Sequence, residues 1–476
     1  MPYKQLHRAK VMLRPFPQND IFDINSPFKD MESTLIVKNF GPIKSVELNL
    51  RNVNVFIGAQ STGKSALAKL FTIFKSPRKF LYKKADESGG IQFEDSTASK
   101  ELIEVFYEFN INSFLNPETQ IEFVSHIHKI TLKKGSLSYE PKFLKEINKI
   151  EVLAKNFDKN RKEISSKFIS LENKFVYFKI RANRVLYGKI KEGIIDNNWS
   201  VKLQEDNCSE LLEILKAIEN ELSTSSAIYI PAERNFINII RKFSMSLILN
   251  KVPIPKHILS FGAELERQDV KELDLNFIQK GLKYKNVNGE ERIYIDDDIN
   301  MMLSEAASGI QSLVPLLASV AKTAHATHRS YVIEEPELNL FPIAQYELIK
   351  FLESKRDDPY KDWEDAGTIH TFTTHSPYIL SSLNNLLYAH KAYSKLNSNE
   401  TDPIRDYREF HTKNKKIVEN IVSAMIDPRS FTAYQISEGY AESIFDEESG
   451  LIKENYIDSA SDKLDDDFSE LMELLK

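Results

Sequence analysis

The sequence predicts an α/β fold: a mixed β-sheet flanked by helices, with a helical, coiled-coil-like insertion part-way along the chain. Three observations carry this reading. A short apolar strand at residues 53–57 runs straight into a glycine-rich loop and then into helical spacing. A second apolar strand, ending at Ile333, stops at two adjacent carboxylates. Between these strands lies a basic stretch whose apolar residues recur at helical steps.

The gross numbers set limits. A chain of 476 residues with 42% hydrophobic content can bury one large core or two smaller ones, so two or three domains are expected. No run approaches the roughly 18 consecutive apolar residues of a membrane span, and the opening residues lack the apolar centre of a secretory signal. A soluble, cytoplasmic protein with no membrane contact is therefore expected. The single cysteine, Cys208, cannot form an internal disulfide and fits a reducing compartment. The net charge of -6 is unevenly spread: residues 129–191 hold 17 Lys or Arg against 6 Asp or Glu, whereas 438–476 hold 3 basic residues against 13 acidic. Either segment could face a charged partner.

Residues 1–30 contain Pro15, Pro17 and Pro27 and read as an N-terminal extension. Thr34 to Leu50 shows two alternating apolar runs separated by Asn39, Gly41 and Pro42, the pattern of a hairpin. Val53 to Ile57 then leads into Gly58-Ala59-Gln60-Ser61-Thr62-Gly63-Lys64-Ser65, and Ala66 to Phe74 has helical spacing. This is G-x-x-x-x-G-K-S between a strand and a helix, the context in which the loop cradles phosphates. Glycines let the backbone curl so that its N–H groups and the helix N-terminus surround phosphate oxygens. The candidate nucleotide-binding residues are therefore Gly58, Gln60, Ser61, Thr62, Gly63, Lys64, Ser65 and Ala66, a loop that kinases, GTPases and ATPases share. Lys64 would contact the β and γ phosphates, and Ser65 would place its hydroxyl on Mg²⁺.

Arg329 to Glu335 supplies the complementary half: a short apolar strand ending in Glu334 and Glu335. Glu334 would hold Mg²⁺, and Glu335 would act as general base or water-positioning group. Pro336 to Leu340 follows as a turn.

With these residues in place, the chain resembles the SMC, RecF and OLD group of ABC-type P-loop ATPases. The resemblance rests on Asn39-Phe40-Gly41, the phosphate loop, Ser308-Gly309-Ile310-Gln311, Glu334 to Glu337, and Thr373-Thr374-His375-Ser376, in the family's order. It implies that Ser308, Gly309 and Gln311 form a signature loop approaching the γ phosphate held by an opposite subunit. It also implies that His375 is the switch histidine and that ATP joins two heads, making the protein at least a dimer and open to a higher ring. Gln60, Glu334 and Phe341 stand where many relatives carry Asn, Asp and His. Gln92 and Gln120 are both candidates for the family's metal-sensing glutamine.

In SMC-like relatives, coiled-coil arms enter between the phosphate loop and the signature. The expected division is therefore a first head segment at 31–125, a basic helical insertion at 126–225, a second head segment at 226–430 and an acidic C-terminal element at 431–476. Ile150, Leu153, Phe157, Ile164, Phe168, Leu171, Phe175 and Phe178 would share one face of a helix about 45 Å long. Its lysines, with Arg181 and Arg184, either face solvent or contact DNA or a phage or partner protein. Arg234, in a Tyr-Ile-Pro-Ala-x-Arg run similar to that of relatives, approaches phosphate or a neighbouring protomer, or pairs with an acid such as Glu233. In the tail, Ile444-Phe445-Asp446 reads as a strand, and Phe468, Leu471 and Leu474 share a helix face. Too few residues follow Glu438 for a TOPRIM core, so no nuclease activity is expected in this chain. Nuclease-free chains of this kind resemble the ATPase subunits of two-gene antiphage systems such as PARIS and Septu, which implies a separate nuclease or toxin effector. The rival expectation is a stand-alone DNA-repair ATPase similar to RecF.

Overall fold

The computed structural model describes residues 33–81, 95–125, 128–141, 227–296, 299–321, 330–356, 368–398, 424–455, 466–469 and 472. Strand β1 (Ser33–Phe40) pairs antiparallel with β2 (Ile43–Leu50), from Ser33 opposite Leu50 to Phe40 opposite Ile43. β3 (Val53–Ile57) is buried at every position. Its side chains alternate between two cores: Phe56 packs on one face of the sheet, and Val53, Val55 and Ile57 on the other. A strand covered on both faces has no polar side, which is why this one reads as an unbroken apolar run apart from Asn54. Asn54 is satisfied internally, donating to the Arg51 carbonyl at 2.8 Å and to Thr371 Oγ1 at 3.1 Å.

Helices α1 (Lys64–Lys75), α2 (Arg78–Leu81) and α3 (Asp95–Glu108) follow, and α1 and α3 cover the Phe56 face. The fully buried Phe71 and Phe74 of α1 contribute about 2 kcal/mol each through apolar burial. β4 (Gln120–Val124), β5 (His128–Lys133) and β6 (Ser136–Pro141) continue the sheet antiparallel beyond β1. β7 (Ala227–Ile230) precedes α4 (Phe236–Leu249) and α5 (Lys256–Gln268). A separate four-stranded sheet comprises β8 (Glu272–Asp274), β9 (Lys283–Val287), β10 (Glu290–Tyr294) and β11 (Asn300–Met302). The chain then passes through α6 (Ser308–Ala321), β12 (Ser330–Glu334), α7 (Pro342–Ser354), β13 (Ile369–Thr374), α8 (Pro377–Ser398), β14 (Phe431–Ser437) and β15 (Tyr440–Ser443).

The large sheet has eleven strands in the order β6-β5-β4-β1-β2-β15-β14-β3-β13-β12-β7. Strands β14, β3, β13, β12 and β7 run parallel, while the β6-to-β2 wing is antiparallel. The molecule is thus a mixed α/β structure. The face of β3 opposite α1 is covered by apolar residues of α6, α7 and α8.

Two segments fall elsewhere than the sequence division suggests. His128 to Pro141 forms a hairpin of the large sheet, so the sheet continues past residue 125. Phe431 to Ser437 lies beside β3 in its centre, and Phe445–Asp446 forms a small ladder with Leu451–Ile452. Residues 1–30, Ile150 to Phe178, Arg181, Arg184, Leu471 and Leu474 lie outside the described residues. Phe468 is 64% exposed.

One buried ionic cluster stands out at the far end of β13. His370 Nδ1 lies 2.8 Å from Glu353 Oε1, and Arg356 Nε donates to Glu353 Oε2 at 2.6 Å, with all three side chains essentially inaccessible.

Candidate nucleotide-binding site

The phosphate-type loop leaves the sheet at the C-terminal end of β3. Gly58 has φ 151° and Gly63 φ 104°, conformations that L side chains rarely adopt. A Cβ at Gly58 would stand 2.3 Å from the Ile436 carbonyl oxygen, and one at Gly63 only 2.4 Å from Ile43 Cδ1. The loop is therefore wedged between β14 and the β1–β2 turn, and glycine alone fits at both ends. Ala59, Gln60 and Ser61 are exposed between them, and Thr62 Oγ1 braces the arch by donating to the Ala59 carbonyl at 2.9 Å.

Lys64 opens α1, is 6% exposed, and donates from Nζ to the carbonyls of Gly58 and Ala59, both at 2.7 Å. Burial lowers its pKa to about 8, opposed by the charges of Glu335, Glu334 and Glu337. The lysine is thus held at the loop within the field of three carboxylates. Ser65 is exposed at the second residue of the helix, and Ala66 is buried behind it.

Glu334 ends β12, 5% exposed, and its Oε1 is buried near the Tyr229 hydroxyl, with no well-formed hydrogen bond to either atom among the described residues. Such an oxygen is costly unless something else satisfies it. A hard divalent cation taking oxygen donors fits this set, with Ser65 and Glu334 as the residues that would hold Mg²⁺. Glu335, at φ 42°, breaks from the strand into the left-handed region, and its N–H donates to the Thr373 carbonyl at 2.9 Å. The turn aims its carboxylate at His375: Glu335 Oε1 and His375 Nε2 are 3.6 Å apart. Burial, and then the charge of Lys64, hold the His375 pKa below 6.5, against Glu335 and a backbone hydrogen bond with Gly58. The imidazole is consequently neutral near pH 7, within reach of both the loop and the carboxylate.

Ser308 is exposed at the start of α6, and Gly309 is buried beside it. A Cβ at Gly309 would meet the Asn339 carbonyl oxygen at 2.5 Å, so this helix end rests on the turn that follows Glu335. Gln311 Nε2 donates to the carbonyls of Ala306 at 2.8 Å and Ser304 at 3.2 Å, bracing the loop before the helix. Gln120 opens β4 opposite Lys38, and Gln92 lies outside the described residues.

Residues 31–380 match the AAA ATPase domain family. The chain belongs to that family. No curated protein matches it. Among solved structures, an SMC head bound to the C-terminal winged-helix domain of ScpA is 8% identical, covering 87% of this chain and 98% of that one, with a TM-score of 0.33. A Pyrococcus furiosus SMC head with an extended coiled coil, bound to the C-terminal domain of ScpA, is 9% identical over 94% of this chain and 99% of that one, TM-score 0.31. The SMC head domain of Thermotoga maritima is 11% identical over 74% and 92%, TM-score 0.30.

Two further residues of this AAA ATPase domain reach the site. Glu337 accepts hydrogen bonds from Thr374 Oγ1 at 2.7 Å and from the His375 N–H at 2.9 Å, with Oε1 taking both. Burial raises its pKa, the two hydrogen bonds oppose that, and Glu335 adds to it. Arg234 is 1% exposed and, among the described residues, forms no ion pair with Glu233. It donates instead to the backbone carbonyls of Ser312, Pro231, Glu334 and Glu335. Position in the motif run could have singled out Glu337, since a third acid follows the pair within three residues. Nothing in the sequence marks a guanidinium whose partners are all carbonyls.

Proposed function

We propose that this chain binds ATP with Mg²⁺ at residues 58–66 and hydrolyses it, as the sensor subunit of a bacterial antiphage complex that controls a separate nuclease or toxin. The observation that carries the ATPase reading is the approach of Glu335 Oε1 to His375 Nε2 at 3.6 Å beside Lys64. Lys64 would turn from its own carbonyls to the phosphates, and the N-terminus of α1 would add backbone donors. Glu335 would accept the proton of an attacking water, and neutral His375 would contact the terminal phosphate. Bound Mg²⁺ would neutralise charge on the phosphates during transfer. Glu337 would keep His375 in place. Ser308, Gly309 and Gln311 would complete the site of a second copy, so that binding closes a dimer and hydrolysis releases it.

The defence role rests on the resemblance of short, nuclease-free chains of this kind to the ATPase subunits of two-gene antiphage systems. The experiment is affinity purification of Glu335→Gln, expressed from its native operon with ATP and Mg²⁺, followed by mass spectrometry. A stoichiometric nuclease or toxin bound to the trapped protein is expected. Nucleic acid without a protein partner would replace this reading with that of a DNA-repair ATPase.

A further inference from the structure

We propose that Arg234 is a positioning residue linking the signature helix to the catalytic turn of the same subunit, so that engagement of Ser308 and Gly309 by a second copy regulates hydrolysis at Glu335. This rests on the ATPase reading above and adds a regulatory path to it.

The geometry is specific. Nε of Arg234 donates to the Ser312 carbonyl at 3.0 Å, in the first turn of α6. Nη1 donates to Glu334 O at 2.7 Å and Pro231 O at 3.2 Å, and Nη2 to Glu335 O at 2.8 Å. One rigid fork thereby ties together the end of β7, the signature helix and both acidic residues of the turn. Apart from Pro231, three residues away, the partners of Arg234 lie 78 to 101 residues along the chain. Glu335 needs such a hold because its φ of 42° is one that a side-chain-bearing residue seldom keeps unaided. Its N–H is fixed by Thr373 and its carbonyl by Arg234.

A displacement of α6 at Ser308 would be transmitted through the Ser312 carbonyl to the guanidinium, and from there to Glu334 and Glu335. The close approach of Gly309 to Asn339 gives the same two segments a steric contact. Asn238 Nδ2, donating to Gln311 O at 3.2 Å, fixes α4 to the same turn of α6. A lysine at 234 would keep the charge and lose the planar fork that spans the segments.

The test uses the full chain. Wild type, Arg234→Lys, Ser308→Arg and the double variant are compared for melting temperature, affinity for a fluorescent ATP analogue, and kcat across protein concentration. Arg234→Lys is expected to bind nucleotide within about threefold of wild type while kcat falls about tenfold or more and rises less steeply with protein concentration. Ser308→Arg should lower kcat in both backgrounds, because Ser308 also completes the site of a second copy, but by a clearly smaller factor in the Arg234→Lys background, where the path is already cut. Multiplying losses, an unchanged kcat, or a parallel loss of melting temperature and binding would each overturn the proposal. If Arg234→Lys does not fold, hydrogen exchange at residues 334–340 decides. ATP should slow it in wild type and not in Ser308→Arg, and equal slowing in both overturns the link. A wild-type chain that hydrolyses no ATP would instead defeat the ATPase reading itself.

Discussion

Glu337 holds His375 by its backbone. One carboxylate oxygen accepts the His375 N–H at 2.9 Å and the Thr374 hydroxyl at 2.7 Å, joining the turn after β12 to the end of β13. Because the bond is to the main chain, it fixes where the imidazole starts and leaves its ring free to meet a ligand. Both groups that would act on the terminal phosphate, Glu335 and His375, are therefore positioned from one short acidic turn.

Replacing Glu337 by Ala removes both hydrogen bonds and should lower kcat by up to roughly 10²-fold with little change in nucleotide affinity. Steady-state kinetics beside equilibrium binding of a fluorescent ATP analogue would separate the two. A loss confined to affinity would show that Glu337 serves the loop rather than His375.

Glu335→Gln should retain ATP binding, lose turnover and accumulate as a nucleotide-dependent dimer or larger ring, seen by size-exclusion chromatography with light scattering. Adding Ser308→Arg should return it to monomers, and Lys64→Ala should prevent nucleotide binding at the outset. Rapid hydrolysis by Glu335→Gln would move the general-base role to another residue.

His375 should titrate below pH 6.5 in the ligand-free protein, since burial and Lys64 both disfavour the imidazolium. Removing the lysine charge with Lys64→Met should move the midpoint upward. An NMR titration of the imidazole reads this directly, and no movement would separate the two side chains electrostatically.

The buried Glu353 cluster gives a stability prediction with a defined sign. Burial alone would raise the Glu353 pKa above 4.5, but Arg356 and His370 draw it down to about 2. A carboxylate whose folded pKa is depressed adds stability above its unfolded pKa and loses it as pH falls towards the folded value. The contribution, about 3 kcal/mol at neutral pH, should thus disappear progressively from about pH 4.5 to 2. Urea unfolding of wild type and Glu353→Gln should give curves that converge across this window. A constant gap would place the origin of the difference elsewhere.

The parts of this molecule that could be read from its sequence are those written locally. The strand, loop and helix around Lys64 lie within one short segment, and the apolar run before Glu334 is buried on both faces, as its composition requires. The partners of Arg234 could not be read because, Pro231 apart, they are carbonyls 78 to 101 residues distant, and a carbonyl carries no residue identity. The place of β14 was equally hidden. Phe431 to Ser437 has the alternation of any strand, and only the long-range pairing with β3 puts it in the middle of the sheet.

That pairing has a consequence for biosynthesis. β3 is flanked by β13 and β14, with Phe56 between Thr373 and Tyr434, so both neighbours of the loop-bearing strand are translated hundreds of residues after it. A nascent chain carrying a complete G-x-x-x-x-G-K-S segment would still display β3 with two open edges. Loops this long close slowly, and an unpaired apolar strand invites association with other chains in the meantime. The nucleotide pocket should consequently be among the last parts of the protein to mature on the ribosome. Fragments ending before Phe431 should aggregate even though they contain every residue expected to touch ATP.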